Sequence, residues 1–272
     1  GEWAADDDMP ELPGFAEDFA DQGGLLRNAL VARGDIGPGD PMPDEFLAQA
    51  VKDVVMHEVG HTLGLQHNFR SSAATPNDRL HDKAWAEEHG IYGSVMEYNA
   101  LNLAPKGKET GYYYNPGVGS LDRWAVSFAY TPDPARAKRL ARGVANTRYL
   151  FGTNAESGGP GAMDPTITTR DLGADPLAWG MERTAMLRGF MADLPAIALD
   201  DNAGYFDLTS AYLRLAGQYA RAVAPAVKYL GGAYFNRDHV GDPNGRLPFV
   251  PIPRAEQQKA LDFLLARVFA ED

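Results

Sequence analysis

The chain has 272 residues, 44% of them hydrophobic and 10% aromatic, so it can bury a sizeable core and its composition argues against global disorder. The net charge of −12 argues against a nucleic-acid partner, because nucleic-acid-binding proteins present a basic surface. The absence of cysteine excludes disulfides and thiolate metal sites, and no apolar run of about 18 residues predicts a membrane span.

Residues 1–43 are predicted to be a loop-rich lead-in, because Asp, Gly and Pro are frequent there. A helix is predicted from Phe15 to Arg33, broken at Gly23-Gly24, because glycine weakens helix interiors. The acidic run from Glu2 to Asp8 is interpreted as a solvated face, the usual role of such runs. No secretory signal peptide is recognisable in this lead-in.

A central helix is predicted from Pro43 or Asp44 to Leu63, with acidic residues in its first turn. Apolar residues recur along it at helical spacing, and this stripe is predicted to be the buried face. The residues of the stripe are Leu47, Ala50, Val51, Val54 and Val55. Burial of the stripe would hold the rest of the helix rigidly.

The end of this helix carries the pattern HExxHxxGxxH, which runs from His57 to His67. Residues four apart lie on one helix face with Cβ atoms about 5–6 Å apart. His57 and His61 can therefore bind one Zn²⁺ through ring nitrogens about 2.0–2.1 Å from the metal. Glu58 is rotated by about 100° from His57 and is better placed as a general base acting on water than as a ligand.

His67 can join the other two histidines only if the chain turns back. On a continuous helix it would lie about 15 Å along the axis from His57. Gly64 tolerates the positive φ of a left-handed helix cap, so the turn is predicted there, and a β-carbon at this position would misplace His67. Three protein ligands leave a fourth position open, which is typical of catalytic and not of structural zinc sites.

Residues 68–90 are predicted to be irregular apart from a short helix from Asp82 to His89. We interpret His81 and His89 as surface or structural residues, because three histidines and a water already fill a catalytic zinc site. The next segment, Gly93 to Tyr98, places a methionine in a tight apolar turn, where a soft thioether packs well.

The remainder is predicted to be mainly helical. Helices are predicted over Ser120–Tyr130 with Ser120 as N-cap, Pro134–Val144, Asp175–Phe190, Phe206–Leu230 and Glu256–Phe269. Short strands are predicted at Thr147–Gly152, Ala233–Arg237 and Leu247–Ile252, the last two paired. Pro225 is expected to kink or interrupt its helix. Residues 153–174 are predicted to be a loop, and the carboxylates of Asp171 and Asp175 are interpreted as caps or turn formers.

These motifs resemble those of the metzincin zinc metallopeptidases, in which the HExxHxxGxxH helix is followed by a Met-turn. The closest resemblance is to the bacterial zinc-dependent Met-zincin metalloprotease family. It is carried by His57–Phe69, Ser94–Asn99 and Asp122–Ala125. The resemblance covers roughly residues 44–272 and is strong over 51–130.

The resemblance implies roles for two residues of the turn. Met96 would form the apolar floor beneath the zinc. Tyr98, like the tyrosine at this offset in astacins and serralysins, would approach the metal and stabilise the oxyanion; the alternative is a packed tyrosine with a satisfied hydroxyl. After the third histidine astacins place Glu and the snake-venom type Asp, whereas this chain has Asn68.

A complete metzincin carries a mostly β N-terminal subdomain whose edge strand aligns the substrate, but no convincing strand alternation precedes His57. We therefore expect a predominantly α-helical α+β fold in which this sheet subdomain is absent or truncated. The expected parts are the lead-in (1–43), a zinc-binding core (44–130) and a helical C-terminal region (131–272) packed on the core. The missing N-terminal part of its own precursor is an expected partner.

The leading hypothesis is a zinc endopeptidase acting on peptide or protein substrates. The three histidines would bind Zn²⁺, and Glu58 would take a proton from an activated water and pass it to the leaving amine. One alternative is a non-catalytic zinc-containing binding or structural module; another is a zinc hydrolase of a different amide, such as peptidoglycan peptides. The family resemblance implies an extracellular or periplasmic bacterial location.

Overall fold

The computed structural model describes residues 15–144, 146–159, 162–199, 204–242 and 245–269. The predicted, predominantly helical α+β class is confirmed. The helices are α1 (Phe15–Arg33), α2 (Asp44–Thr62), α3 (Lys83–His89), α4 (Ser120–Tyr130), α5 (Pro134–Ala141), α6 (Asn154–Ser157), α7 (Pro176–Ala192), α8 (Leu194–Ala198), α9 (Tyr205–Val227) and α10 (Arg254–Val268). The acidic run at residues 2–8 lies outside the described residues. Within the described ranges, no helix combines the length and apolar character that crossing a membrane requires.

The described residues form one small sheet of two strands, β1 (Ala233–Phe235) and β2 (Phe249–Pro251). The strands pair antiparallel, with Tyr234 opposite Val250, so the predicted pairing is confirmed with shorter strands. The strand predicted at residues 147–152 is wrong. That segment bonds instead to an irregular stretch of chain, through Phe69 N to Gly152 O at 2.9 Å, and no regular ladder forms.

The main hydrophobic core lies where α1, α7, α8 and α9 pack together and receive the start of α2. Its most buried side chains come from different helices, including Leu26 of α1, Phe46 of α2, Leu187 of α7 and Leu215 of α9. A second cluster joins α7 and α9 to α10. Because each buried large apolar side chain contributes about 1.5–3 kcal/mol, these clusters fix α1 and the beginning of α2 relative to the C-terminal helices.

Two local predictions are wrong. Helix α1 runs through Gly23-Gly24 without a break and packs against α7, α8 and α9, whose contacts support a helix that its glycines weaken. Helix α9 continues through Pro225 and ends two residues later at Val227, so the proline does not interrupt it, and the expected kink stays a prediction. Ser120 is the first residue of α4, and Gly119 is the N-cap.

Two short helices, α6 and α8, were not predicted. Asp175 caps α7 as predicted, accepting a hydrogen bond from Ala178 N at 2.9 Å. Asp171 is not a cap: it is buried and accepts a hydrogen bond from Ser72 Oγ at 3.4 Å.

The predicted buried stripe of α2 is also wrong in large part. Leu47, Val51 and Val55 are 41%, 58% and 54% exposed, whereas Ala50 is buried. The ring of Phe46 lies 5.8 and 6.0 Å from the rings of two core tyrosines, which turns the opposite side of the helix outward. The buried residues of α2 are therefore Phe46, Ala50, His57 and Gly60, and the long i, i+4 apolar row faces away from the core.

Candidate metal centre

The first two histidines lie in the last two turns of α2, which ends at Thr62. Leu65 N bonds to Gly60 O at 3.1 Å, and Gly64 N bonds to His61 O at 2.9 Å. These two bonds form a Schellman motif, and Gly64 adopts a φ of +82°, the left-handed conformation that such a motif requires. The chain therefore reverses direction at the predicted glycine.

The reversal brings His67 back to His57 and His61. One ring nitrogen from each lies within 4.8 Å of the other two, and the ring centroids are 4.8 to 5.3 Å apart. Two nitrogens bound to one zinc at about 2.0–2.1 Å lie at most about 4.2 Å apart, so this triangle is close to the size that the ion requires. The rings span a range of burial, with His57 buried, His67 half-buried and His61 exposed.

Backbone carbonyls orient the two helical histidines. His57 Nδ1 lies 2.8 Å from Val95 O, and His61 Nδ1 lies 3.0 Å from Leu65 O. A carbonyl only accepts, so each Nδ1 carries the proton and Nε2 is the nitrogen suited to a metal. Nε2 of His67 is buried and has no hydrogen-bond partner among the described residues. Buried polar atoms are normally hydrogen-bonded, and a cation bound to this nitrogen would explain why it has no such partner.

Burial keeps two of the ligands in the form that binds metal. Burial, together with the smaller effect of the neighbouring imidazoles of His57 and His61, lowers the pKa of His67 to about 4, while nearby Asn154 opposes the change. Burial also lowers the pKa of His57, against the effect of the Val95 carbonyl. Both rings are thus neutral near pH 7, which metal coordination requires. Three imidazoles at this spacing fit zinc, which is the cofactor of this site.

The predicted turn at Met96 lies directly beneath the helix that carries the histidines. Met96 is buried, and a β-carbon built on Gly60 would lie only 2.3 Å from its Sδ atom. Gly60 stands between the first two zinc histidines in the sequence, so the absence of a side chain at this position lets the methionine approach the helix backbone. The turn is further attached by Asn68 N, which bonds to Met96 O at 2.9 Å.

Tyr98 covers the histidines from the same turn. Its ring stacks on His57 with a centroid distance of 5.4 Å and an interplanar angle of 20°, and its centroid lies 4.7 Å from that of His67. Phe69 stacks on His67 with a centroid distance of 5.5 Å, and its ring also lies 5.5 Å from that of Tyr98. The ring of Tyr98 is therefore next to the metal ligands, and the role of its hydroxyl stays a prediction.

Glu58 is exposed, whereas its neighbour His57 is buried. His81 and His89 do not join the cluster, as predicted, and in the described part of the chain the only group of three or more possible ligands is His57, His61 and His67. His89 Nδ1 instead lies 3.1 Å from Arg148 Nη1. The described residues thus supply three ligands and no fourth.

Two polar residues attach the site to its surroundings; Glu97 was not singled out from the sequence, and Asn68 was noted there only as a difference from other metzincins. Glu97, in the turn itself, is buried, and its Oε2 accepts hydrogen bonds from Ser71 N, Ser71 Oγ and Ser72 N at 2.8, 2.7 and 3.1 Å. Asn68 Oδ1 accepts from Gly152 N at 2.9 Å. Both attach the segment after His67 to its surroundings. A charged residue in an otherwise apolar turn was the available signal for Glu97.

Comparison with known proteins gives one result for this chain. A family model described as Met-zincin matches residues 39–272, which include every residue of the site. No curated protein and no solved structure matches the chain.

Proposed function

Because the chain belongs to the Met-zincin family, we propose that it is a zinc-dependent endopeptidase with Glu58 as its general base. The observation that carries this proposal is the cluster of three histidine nitrogens within 4.8 Å of one another, with no fourth ligand among the described residues. Structural zinc sites are usually closed by four protein ligands, whereas catalytic sites keep one position for water or substrate.

His57, His61 and His67 would hold the metal. When bound, zinc supplies Lewis-acid chemistry, lowering the pKa of a water towards about 7 and polarising the carbonyl of the scissile bond. The protein's contribution is to hold the three imidazoles in place before substrate arrives. The carbonyls of Val95 and Leu65 orient the first two rings, and the turn at Gly64 positions the third.

Glu58 follows His57 on the helix and is exposed towards solvent. In the proposed reaction its carboxylate takes a proton from the attacking water as the new C–O bond forms. It then delivers this proton to the amine nitrogen as the C–N bond breaks, so the carboxylate is regenerated. Exposure supports this role, because a base must reach both water and substrate.

Tyr98 is proposed to donate a hydrogen bond from its hydroxyl to the oxyanion that develops on the scissile carbonyl. The stacking of its ring on His57 supports this role, since it holds the residue beside the metal ligands. Removing one such donor typically lowers kcat by about 10²–10³-fold. If Tyr98→Phe turns over substrate at the wild-type rate, the proposed role of the Tyr98 hydroxyl is refuted.

The decisive experiment compares Glu58→Gln with the wild type in zinc content and in digestion of casein. We expect the variant to retain zinc and to lose peptidase activity, because the amide cannot accept the proton. Glu88→Gln is the matched control, since Glu88 carries an exposed carboxylate on α3 with 77% of the side chain accessible. A Glu58→Gln variant that digests casein at the wild-type rate would refute the mechanism.

The same assay separates the two alternatives. Wild-type protein that binds zinc but digests neither casein nor a peptide library would favour a non-catalytic zinc module. Cleavage of peptidoglycan peptides without cleavage of casein would favour a hydrolase of that other amide.

A further inference from the structure

The buried carboxylate of Asp122, near the start of α4, is linked to the first zinc histidine by a continuous path of hydrogen bonds. We propose that Asp122 and Ser94 are positioning residues, which fix the orientation and the tautomer of His57 through this path. The inference rests on the proposed zinc site. Asp122 and Ser94 are thereby added to the site, although neither contacts the ring nitrogens of the zinc histidines or the substrate.

The path has three hydrogen bonds. Ser94 Oγ donates to Asp122 Oδ1 at 2.6 Å, and Met96 N donates to Ser94 Oγ at 3.1 Å. The carbonyl of the same peptide unit, Val95 O, lies 2.8 Å from His57 Nδ1. All five residues are at most 4% exposed, so water does not compete for these groups.

The directions of these bonds are mutually consistent. A carboxylate only accepts, so the hydroxyl of Ser94 must donate to Asp122 and can then accept from the Met96 amide. The carbonyl of Val95 also only accepts, which places a proton on His57 Nδ1. The other tautomer would bring two acceptors within 2.8 Å of each other. The path therefore selects the tautomer that presents Nε2 to a metal.

The carboxylate of Asp122 also binds two backbone amides, one in the turn and one at the start of α4. Asp122 Oδ2 accepts from Val95 N at 2.8 Å and from Gly119 N at 2.8 Å. Val95 is thus fixed through its own amide as well as through the peptide unit that follows it. Hydrogen bonds in such chains polarise one another, so negative charge on Asp122 strengthens the acceptor that faces His57.

A metal-ligating histidine commonly donates its other ring N–H to a carboxylate or a carbonyl, and loss of such a partner weakens metal binding by about 10–100-fold. Here the carboxylate acts through a hydroxyl and a peptide unit and not directly. Removing the Ser94 hydroxyl breaks the path while it leaves both amide contacts of Asp122 in place. We therefore expect a smaller effect from Ser94→Ala, about 10-fold, than from Asp122→Asn.

The first measurement is the dissociation constant of Zn²⁺, determined by competition with a chelator for the wild type, Ser94→Ala and Asp122→Asn. Thr166→Val is the matched control, because Thr166 Oγ1 also donates to a buried carboxylate, Asp164 Oδ1, at 2.7 Å. Among the described residues, neither Thr166 nor Asp164 bonds to Val95 or Leu65, whose carbonyls orient the two helical zinc histidines. The control should lose stability but keep its zinc affinity within about 2-fold.

The second measurement uses the metal-free proteins, in which ¹⁵N chemical shifts report the tautomer of His57 above the pKa of the ring. We expect mainly the Nδ1–H form in the wild type and in Thr166→Val, and a mixture in Ser94→Ala. Unchanged zinc affinity or an unchanged tautomer in Ser94→Ala would overturn the inference. A wild type that binds no zinc would refute the proposed function, whereas the tautomer comparison would still test the path.

Discussion

The contact between Gly60 and the sulfur of Met96 leads to a sharp prediction about the floor of the zinc site. A β-carbon at position 60 would lie 2.3 Å from Met96 Sδ, and 3.7 Å from Leu65 Cδ1. Non-bonded heavy atoms are normally about 3.5–4.0 Å apart, so in Gly60→Ala the sulfur must retreat by more than about 1 Å. Met96 is 1% exposed, so any movement of its side chain must be accommodated inside the protein.

Overpacking of this kind costs about 1–3 kcal/mol, whereas replacing a helical glycine with alanine gains about 0.5–1 kcal/mol. We therefore expect Gly60→Ala to lower the free energy of unfolding by about 1–2 kcal/mol. In the background of Met96→Ala, where the sulfur is absent, the same substitution should stabilise the protein by about 0.5–1 kcal/mol. The two sites should thus show a coupling of about 2 kcal/mol.

The assay is urea unfolding of the metal-free wild type, the two single variants and the double variant. Gly189→Ala is the matched control, because Gly189 is exposed in the interior of α7 and an added β-carbon would meet no atom within 4 Å. The free energy of unfolding of this control should rise by about 0.5–1 kcal/mol. If Gly60→Ala stabilises the protein as much as Gly189→Ala does, or if the coupling with Met96→Ala is zero, the argument for a close-packed floor is refuted.

Three further predictions concern the turn, a buried acid and the exposed face of α2. Gly64→Ala should lower the free energy of unfolding by about 1–2 kcal/mol, because the left-handed conformation is unfavourable for alanine, and it should bind zinc more weakly. Gly34→Ala, at a φ of +80°, should lower the free energy of unfolding by a similar amount without changing the affinity for zinc. Burial raises the pKa of Asp171 from 3.8 to about 8, so stability should fall as the pH rises through this window, and Asp171→Asn should remove a pH-dependent loss of at most about 6 kcal/mol in urea unfolding. Val51→Ser should change the unfolding free energy by less than about 0.5 kcal/mol, against about 2–5 kcal/mol for Leu26→Ala in the core.

Each of these predictions has an outcome that would contradict it. Equal zinc affinities of Gly64→Ala and the wild type in a chelator competition would show that the turn does not position the third histidine. The pH comparison uses unfolding at pH 5 and pH 8, and a wild type whose stability falls no more between these two pH values than that of Asp171→Asn would contradict a raised pKa. A large loss of stability in Val51→Ser would mean that the outer face of α2 is covered.

The cluster of histidines could be predicted from the sequence because its geometry is local. Positions 57 and 61 share a helix face by the period of the α-helix, and a glycine at position 64 readily adopts the left-handed conformation with which the chain returns position 67 to them. Apart from the short α6 and α8, the helices also depend on short-range pattern and were predicted within a few residues, including the start of α7 at its Asp175 cap. Local geometry thus determined the metal centre and the helical class.

Only the tertiary structure decided which face of each element is buried and which distant groups meet. The apolar row of α2 looked like a core face by periodicity, yet Phe46 determines the rotation of the helix by inserting into the core. The unbroken α1 depends on its neighbours in the same way. Similarly, no sequence spacing relates Asp122 to His57, because the path between them passes through a turn and a peptide unit. Local patterns report the preference of a segment, whereas burial and long-range hydrogen bonds depend on the partners that folding supplies.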